Sequence, residues 1–334
     1  MTPKERVMNR LAGKPVDKIP NLNIVMSFAA KYAGVKYGEF CTDYRVRVGA
    51  MEKTTVDFGL DVLTTMSDAY GETHDYGAKI RYPEDDLPIC ESPLIRCPED
   101  ANKLKRWNPL ESTRMLDRVK GLELYKKNWG NHYPIVGWVE GPFAEFADLT
   151  SLNEAMMMLY TEPAFLQESM ELITEQAIDC AIAQLEAGAD IIGVGDAAVS
   201  LINPEHYYQF VWPLEKRIIQ AIQDSGGKSK LHICGNTTHI LENIIATGAD
   251  IIDLDHMVDF TEAIRLSEGK CSISGNFDPV TRLLQSTPDE VRATTKYFME
   301  CGNSTSIISA GCEVPKETPP ENLKAVDMEL CFDN

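Results

Sequence analysis

A chain of 334 residues with 32 basic and 51 acidic side chains carries a formal charge of −19, which disfavours nucleic acid or an anionic membrane as a partner. No run is long and apolar enough to span a bilayer, and the opening MTPKERVMNRLAGKPVDKIP carries charges where a signal peptide needs an apolar stretch, so a cytoplasmic protein is expected. Nine irregularly spaced cysteines, an odd number, do not suggest a disulfide framework and read as free thiols or ligands.

In chain order, eight strand-like apolar runs cover 19–27, 61–67, 134–141, 190–196, 230–235, 250–255, 271–276 and 304–311, each ending in a polar residue or glycine. Amphipathic segments lie between them. The longest, 163–187, repeats apolar residues at three- and four-residue spacing and is closed by Gly188; a shorter one at 240–247 is followed by Gly248. Thr318-Pro319-Pro320-Glu321 supplies a cap, a proline and a glutamate to open a helix over 321–330. The connection 69–132 carries Pro83, Pro88, Pro93 and Pro98 and reads as an irregular insertion after the second strand, partly helical over 104–128 and placed to cover one end. Strand and helix alternating eight times, with strands apolar throughout, predicts a single α/β domain over 1–334, a (β/α)8 TIM barrel; a doubly wound open sheet is the alternative.

Active sites of such barrels lie at the C-terminal strand ends. Here those ends carry Ser67 and Asp68, Glu140, Asp196, His232 with Cys234, Asp255 with His256, Asn276 and, just past the last strand, Cys312. In LHICGN (231–236), His232 and Cys234 face one way, about 7 Å apart along a strand. That pair suits zinc but is two ligands short of a tetrahedral set, and the bland reading is a buried thiol beside a hydrogen-bonded histidine. Cys312 in SAGCEVP is the natural third ligand, because barrel closure turns the fifth and eighth strands towards one mouth. Cys271 begins its strand and so lies about 15 Å below the mouth. Cys41, Cys90, Cys97, Cys180, Cys301 and Cys331 read as packing or surface thiols.

The segments LHICGNTTHILENIIATGADIIDLDHMVDF, SISGNFDPVTRLLQSTPDEV and SAGCEVPKETPPENLKA, with GADIIGVGDAAVSLINPEHYYQFVWP and the N-terminal stretch, resemble the cobalamin-dependent methyltransferases of the uroporphyrinogen decarboxylase superfamily, nearest to methylcobalamin:coenzyme M methyltransferases. The resemblance is weakest over 70–131. It implies a TIM barrel, a zinc ion on His232, Cys234 and Cys312, and a thiol as methyl acceptor. No Asp-x-His-x-x-Gly corrinoid motif occurs in the chain, so the methylcobalamin is expected on a separate corrinoid protein. Asp255 is the candidate for a displaceable fourth ligand, or else a helix cap or the acceptor of the His232 N–H. Asp196 is expected to orient substrate or cap the helix that follows it; Asp68 matches a Ser-Asp setting of the decarboxylases. His256 should point opposite to Asp255, and His74, His132, His206 and His239 read as surface or capping residues. Three alternatives stand beside this reading. A decarboxylase needs arginines after the first strand, where 23–36 reads NIVMSFAAKYAGVK, with no arginine before Arg45. Demethylation of a small substrate onto cob(I)alamin would use the same ligands. A purely structural zinc would have four.

Overall fold

In the computed structural model, which describes residues 1–332, the core is a parallel sheet of six strands in the order β1 (Leu63–Thr64), β4 (Ile135–Glu140), β5 (Ile191–Gly195), β6 (Lys228–Ile233), β7 (Ile251–Leu254) and β8 (Ser272–Ser274). Every residue of β4, β5 and β7 is buried, as expected for strands covered on both faces by helices. Two extended segments complete the (β/α)8 barrel. Ser274 and Phe277 bridge in parallel to Ile307 and Ala310. On the other edge, Asp61 N–H donates to Asn21 O at 2.9 Å, while Ala310 N–H donates to the Asn23 side-chain oxygen at 2.8 Å. The segment around Asn21–Asn23 therefore lies between the first and last strands and closes the ring.

The two closing positions depart from the full strands expected over 19–27 and 304–311. Pro20 has no N–H to give to a ladder, and asparagine side chains stand in for backbone partners, Asn23 Nδ2 donating to Asn21 Oδ1 at 2.7 Å. A helix begins already at Met26. The second barrel strand is likewise two residues long rather than seven, and β6 starts at Lys228 and ends at Ile233, leaving Cys234 just beyond it.

The N-terminal end of the barrel is plugged. Leu22, Val62, Val136, Ile191, Ile251 and Ile307, from six of the eight positions, pack together with Val7, Met8 and Leu11. The last three lie on the helix Pro3–Leu11, which opens with a Thr2/Glu5 capping box. Each aliphatic side chain fully buried there contributes about 1.5–3 kcal/mol. Side chains thus fill the barrel axis at this end, and the polar strand ends gather at the other.

The insertion holds more regular structure than its prolines suggest: a short helix Gly71–Asp75, a hairpin of β2 (Lys79–Arg81) and β3 (Ile89–Ser92), and a 3-10 turn Pro98–Lys103. The helix Arg114–Trp129 then covers the sheet with Met115, Val119, Leu122 and Tyr125. The long helix is Pro163–Glu186, burying Leu166, Met170, Ile173, Ala177 and Cys180, with Gly188 at φ +114° just past its end. The shorter helix is split into a 3-10 turn, Thr238–Ile240, and Leu241–Ile245. The last helix is Pro320–Glu329 without a side-chain cap, and the Thr318 hydroxyl has no partner, so the expected cap is not made.

Candidate metal centre

Strand alternation sends Lys230 and His232 of β6 to the barrel axis, and Cys234 joins them one residue past the strand. Gly235, at φ +86°, turns the chain away immediately; a Cβ there would also stand 2.7 Å from Ser200 Oγ. Cys312 arrives from the far side of the ring. Its neighbour Gly311 passes so close to β7 that a Cβ would meet His256 N at 2.4 Å, a passage only glycine allows. The result is a cluster in which His232 Nε2 lies 3.0 Å from Cys234 Sγ and Cys234 Sγ lies 3.6 Å from Cys312 Sγ. All three donor atoms fall within 4.8 Å of one another.

Behind the histidine stands Asp253. Its Oδ2 lies 2.9 Å from both His232 Nδ1 and Lys230 Nζ, with all three side chains buried. The ring N–H is not aligned on the carboxylate, so the histidine contact is an ion-pair contact rather than a well-formed hydrogen bond. Burial works against protonation of His232, but Asp253 and the Cys312 sulfur outweigh it and raise the imidazole to about 9. Hydrogen bonding from Cys234, against the opposing effect of burial and with help from His232, lowers the Cys312 thiol to about 4, while Cys234 moves up. At 3.6 Å the two sulfurs are close enough for one thiol proton to be shared between them. Asp253 is pulled well below the usual carboxylate range because Lys230 and His232 overcome its burial.

The remaining expected residues fall elsewhere. Asp255 is a correction in part: its carboxylate accepts from Gly235 N–H at 2.9 Å and pairs with His256 Nδ1 at 2.7 Å, and the acceptor facing the His232 ring is Asp253 instead. It fastens the turn that follows Cys234. Asp196 does not face the mouth. Fully buried, it accepts from Ala144 N–H at 2.6 Å and so caps the helix Pro142–Thr150, on the outer side of the sheet. Burial raises it to about 7, beside Glu215, which in turn accepts from Tyr207 Oη at 2.6 Å. Asp68 is held by Arg114 at 2.7 Å and by Ser67 Oγ at 2.7 Å, an internal clamp. Asn276 spends its amide on the carbonyls of Asp255 and Val258. Cys271 lines a cavity with Met8 and Leu11 of the basal helix, away from the mouth. His239 meets Ile202 O, His74 meets Asp75, and His206 packs on Tyr160.

Sequence reasoning missed Asp253, Lys230 and the buried acids Glu72 and Glu145, which lie near the expected strand-end residue Glu140. The signal for Asp253 was present: in IIDLD it alternates in phase with Asp255, on the strand next to His232. Glu72, bound by Arg118 at 2.8 Å, sits in the insertion, where no periodicity advertises it.

The open end of this α/β barrel gathers an imidazole and two thiols that could hold a metal ion. The chain belongs to the uroporphyrinogen decarboxylase (URO-D) family, whose model matches residues 2–329. It is 28% identical to the methylcobamide:CoM methyltransferase MtbA of Methanosarcina mazei, over 97% of this chain and 96% of that protein, and 26% identical to MtaA of Methanosarcina barkeri over the same shares. A uroporphyrinogen decarboxylase of Carboxydothermus hydrogenoformans is 24% identical over 86% of this chain and 82% of its own. Among solved structures, a methyltransferase from Methanosarcina mazei superposes with a TM-score of 0.90 at 23% identity, covering 99% of this chain and 98% of that one. A B12-independent methionine synthase from a Shewanella species reaches 0.58 at 16% identity over 94% and 96%.

Proposed function

We propose that the protein is a corrinoid-dependent methyltransferase that moves a methyl group from a methylated corrinoid, carried on a separate protein, to a small thiol such as coenzyme M, using a zinc ion held by His232, Cys234 and Cys312. The observation that carries this reading is the meeting of one nitrogen and two sulfurs within 4.8 Å at the barrel mouth. Bonds of about 2.0–2.3 Å in a tetrahedral centre set neighbouring donors about 3.3–3.8 Å apart; the 3.6 Å between the two sulfurs falls in that range, and the 3.0 Å between His232 Nε2 and Cys234 Sγ is somewhat shorter. The donor set, one imidazole and two thiols, suits a borderline-soft cation and leaves one position open.

Zinc held there would lower the pKa of a thiol entering the open position, so that a thiolate nucleophile is present at neutral pH. The protein's own residues prepare for this. Cys312 is already the more acidic sulfur of its pair. Asp253 sets the His232 ring with its Nδ1 side towards the carboxylate, leaving Nε2 to face the two sulfurs. Gly235 and Gly311 let both cysteines approach without a Cβ in the way. The relatives named for methylcobamide:CoM transfer support the donor and acceptor classes. The decarboxylase reading is weakened by the absence of arginine from 23–36.

Two measurements test the reading. Metal analysis should return one zinc per chain, lost in His232→Ala, Cys234→Ala and Cys312→Ala; full zinc in Cys312→Ala would remove that residue from the site. Free methylcob(III)alamin mixed with the enzyme and a panel of small thiols, coenzyme M included, should convert to cob(I)alamin or cob(II)alamin in the visible spectrum. Inertness towards every thiol, with activity on a methylated compound plus cob(I)alamin, would replace this reading with transfer in the opposite sense.

A further inference from the structure

Cys312 reaches the cluster from a stretch without helix or strand, which runs from the bridge at Ala310 to Pro319. Backbone bonds fix the chain on either side of it. Gly311 N–H donates to Phe277 O at 2.9 Å, and Val314 N–H donates to Ile24 O at 2.7 Å. Between these two, the N–H groups of Cys312 and Glu313 reach no backbone carbonyl among the described residues. The peptide that follows the sulfur-bearing residue is therefore placed by side chains or not at all.

The Glu313 side chain supplies that tie. Its Oε1 accepts from Ser27 N–H at 2.7 Å and from Ser27 Oγ at 2.6 Å, across 286 residues of sequence. Ser27 lies in the first turn of the helix Met26–Ala33, whose cap position is held by Val25, a residue with no side-chain acceptor. The first turn of a helix presents N–H groups that have no partner within the helix, and its positive dipole end favours an acidic side chain. Glu313 thus does for this helix what a cap residue would do, while standing next to Cys312. The same seam continues on both sides, with Ala310 N–H on Asn23 Oδ1 at 2.8 Å and an ion pair between Lys31 and Glu317. It follows 23–31, part of the stretch in which a decarboxylase would need arginines.

We propose that Glu313 is a positioning residue of the metal centre: by gripping the start of the helix Met26–Ala33 it fixes the peptide that follows Cys312 and so holds that sulfur beside His232 and Cys234. The inference rests on the metal-site reading above and deepens it, because it assigns the placement of one ligand to a residue that touches neither metal nor substrate. What Glu313 contributes is an acceptor oxygen at a fixed place. An amide oxygen in the same position serves equally, whereas a methyl group leaves the Ser27 donors and the peptide after Cys312 without their link.

The test compares Glu313→Ala with Glu313→Gln. Cobalt(II) bound in place of zinc reports its sulfur ligands through a sulfur-to-metal charge-transfer absorption, which a general loss of stability leaves unchanged in the folded, loaded protein. In Glu313→Ala that band should shrink towards that of a single thiolate, and zinc affinity should fall about tenfold, the lower end of the cost of losing a ligand-orienting partner. Glu313→Gln should restore both. A second readout needs no metal: diamide takes one hydrogen from each of two thiols and joins them as a disulfide, so the rate at which Cys234 and Cys312 are linked, read by peptide mapping, reports how well their sulfurs are held together. From a separation of 3.6 Å the parent and Glu313→Gln should link readily, and Glu313→Ala about tenfold more slowly. Ser27→Ala, which removes one of the two donors, should change both readouts less and in the same direction, and it carries the test if Glu313→Ala does not fold. Either readout unchanged in Glu313→Ala, or Glu313→Gln as impaired as Glu313→Ala, overturns the proposal. A parent protein without the cobalt band counts against the metal reading instead, and the linkage rates then decide the placement of Cys312 by themselves.

Discussion

Asp253→Asn separates what the buried carboxylate does for the metal from what it does for the fold. Asp253 Oδ2 sits 2.9 Å from Lys230 Nζ and 2.9 Å from His232 Nδ1, with the three side chains 4–7% exposed. Loss of a charged partner that orients a metal-binding histidine costs about 10–100-fold in affinity, or about 1.4–2.8 kcal/mol. The same substitution strands the Lys230 ammonium in the barrel, and breaking one side of a buried pair costs about 3–5 kcal/mol of stability. The two effects need different assays. Zinc affinity is read by competition with a chromophoric chelator, and stability by urea unfolding of the metal-free protein, so that bound zinc does not mask the loss. In the double variant Lys230→Met/Asp253→Asn the stranded charge is gone, and most of the stability should return. Zinc affinity should stay low. If instead Asp253→Asn binds zinc as tightly as the parent while its stability falls, the carboxylate serves Lys230 alone and the positioning of His232 has another source.

Two further outcomes follow from the same barrel end. Burial would raise the Asp68 carboxyl, but Arg114 overcomes it and holds the group at about 2, below its ordinary 3.8. A depressed folded-state value means that the contribution, about 2 kcal/mol, is present above pH 4 and is lost as pH falls through the interval from about 4 to 2. The difference in unfolding free energy between parent and Asp68→Asn should therefore shrink over that interval, and a difference independent of pH would show that the Arg114 pair does not set it. Gly195→Ala should cost about 1–3 kcal/mol, because its new methyl meets the Trp138 ring at 2.7 Å and Glu140 at 3.2 Å. It should keep one zinc per chain while perturbing tryptophan fluorescence; unchanged fluorescence would show that the Trp138 ring does not need the space a glycine leaves at residue 195.

Much of this arrangement was legible in the sequence, and the misses have definite causes. Strands buried on both faces announce themselves as unbroken apolar runs, so the central strands were found to within about two residues, the ordinary scatter of assigned boundaries. The closing positions were overcalled because hydrophobicity does not reveal that Pro20 lacks a donor or that Asn21 and Asn23 satisfy the backbone with side chains. His232 and Cys234 were legible from period two alone. Cys312 needed the further step that the ring closes, since 78 residues separate it from Cys234. Asp196 was misjudged on parity: with Gly195 facing the axis beside His232, its successor must face the helices, and it does.

Parity and register together explain why the mouth has the chemistry it has. One row runs around the sheet in direct register, Glu140 on β4, Gly195 on β5, His232 on β6, Asp253 on β7 and Ser274 on β8. It sets an acid, a glycine, an imidazole, its orienting acid and a hydroxyl side by side, and Ser274 Oγ continues to Ser309 Oγ at 3.2 Å on the next position. The row beneath it holds Trp138, Gly193, Lys230 and Ile251, so Lys230 rises towards Asp253 from below and Trp138 towards Glu140. A slip of one residue in any strand would turn its member outward and break the row. The apolar plug on the basal helix, by fixing the lower ends of six positions, is what holds the polar row in line, so the stability of one end and the chemistry of the other depend on the same register.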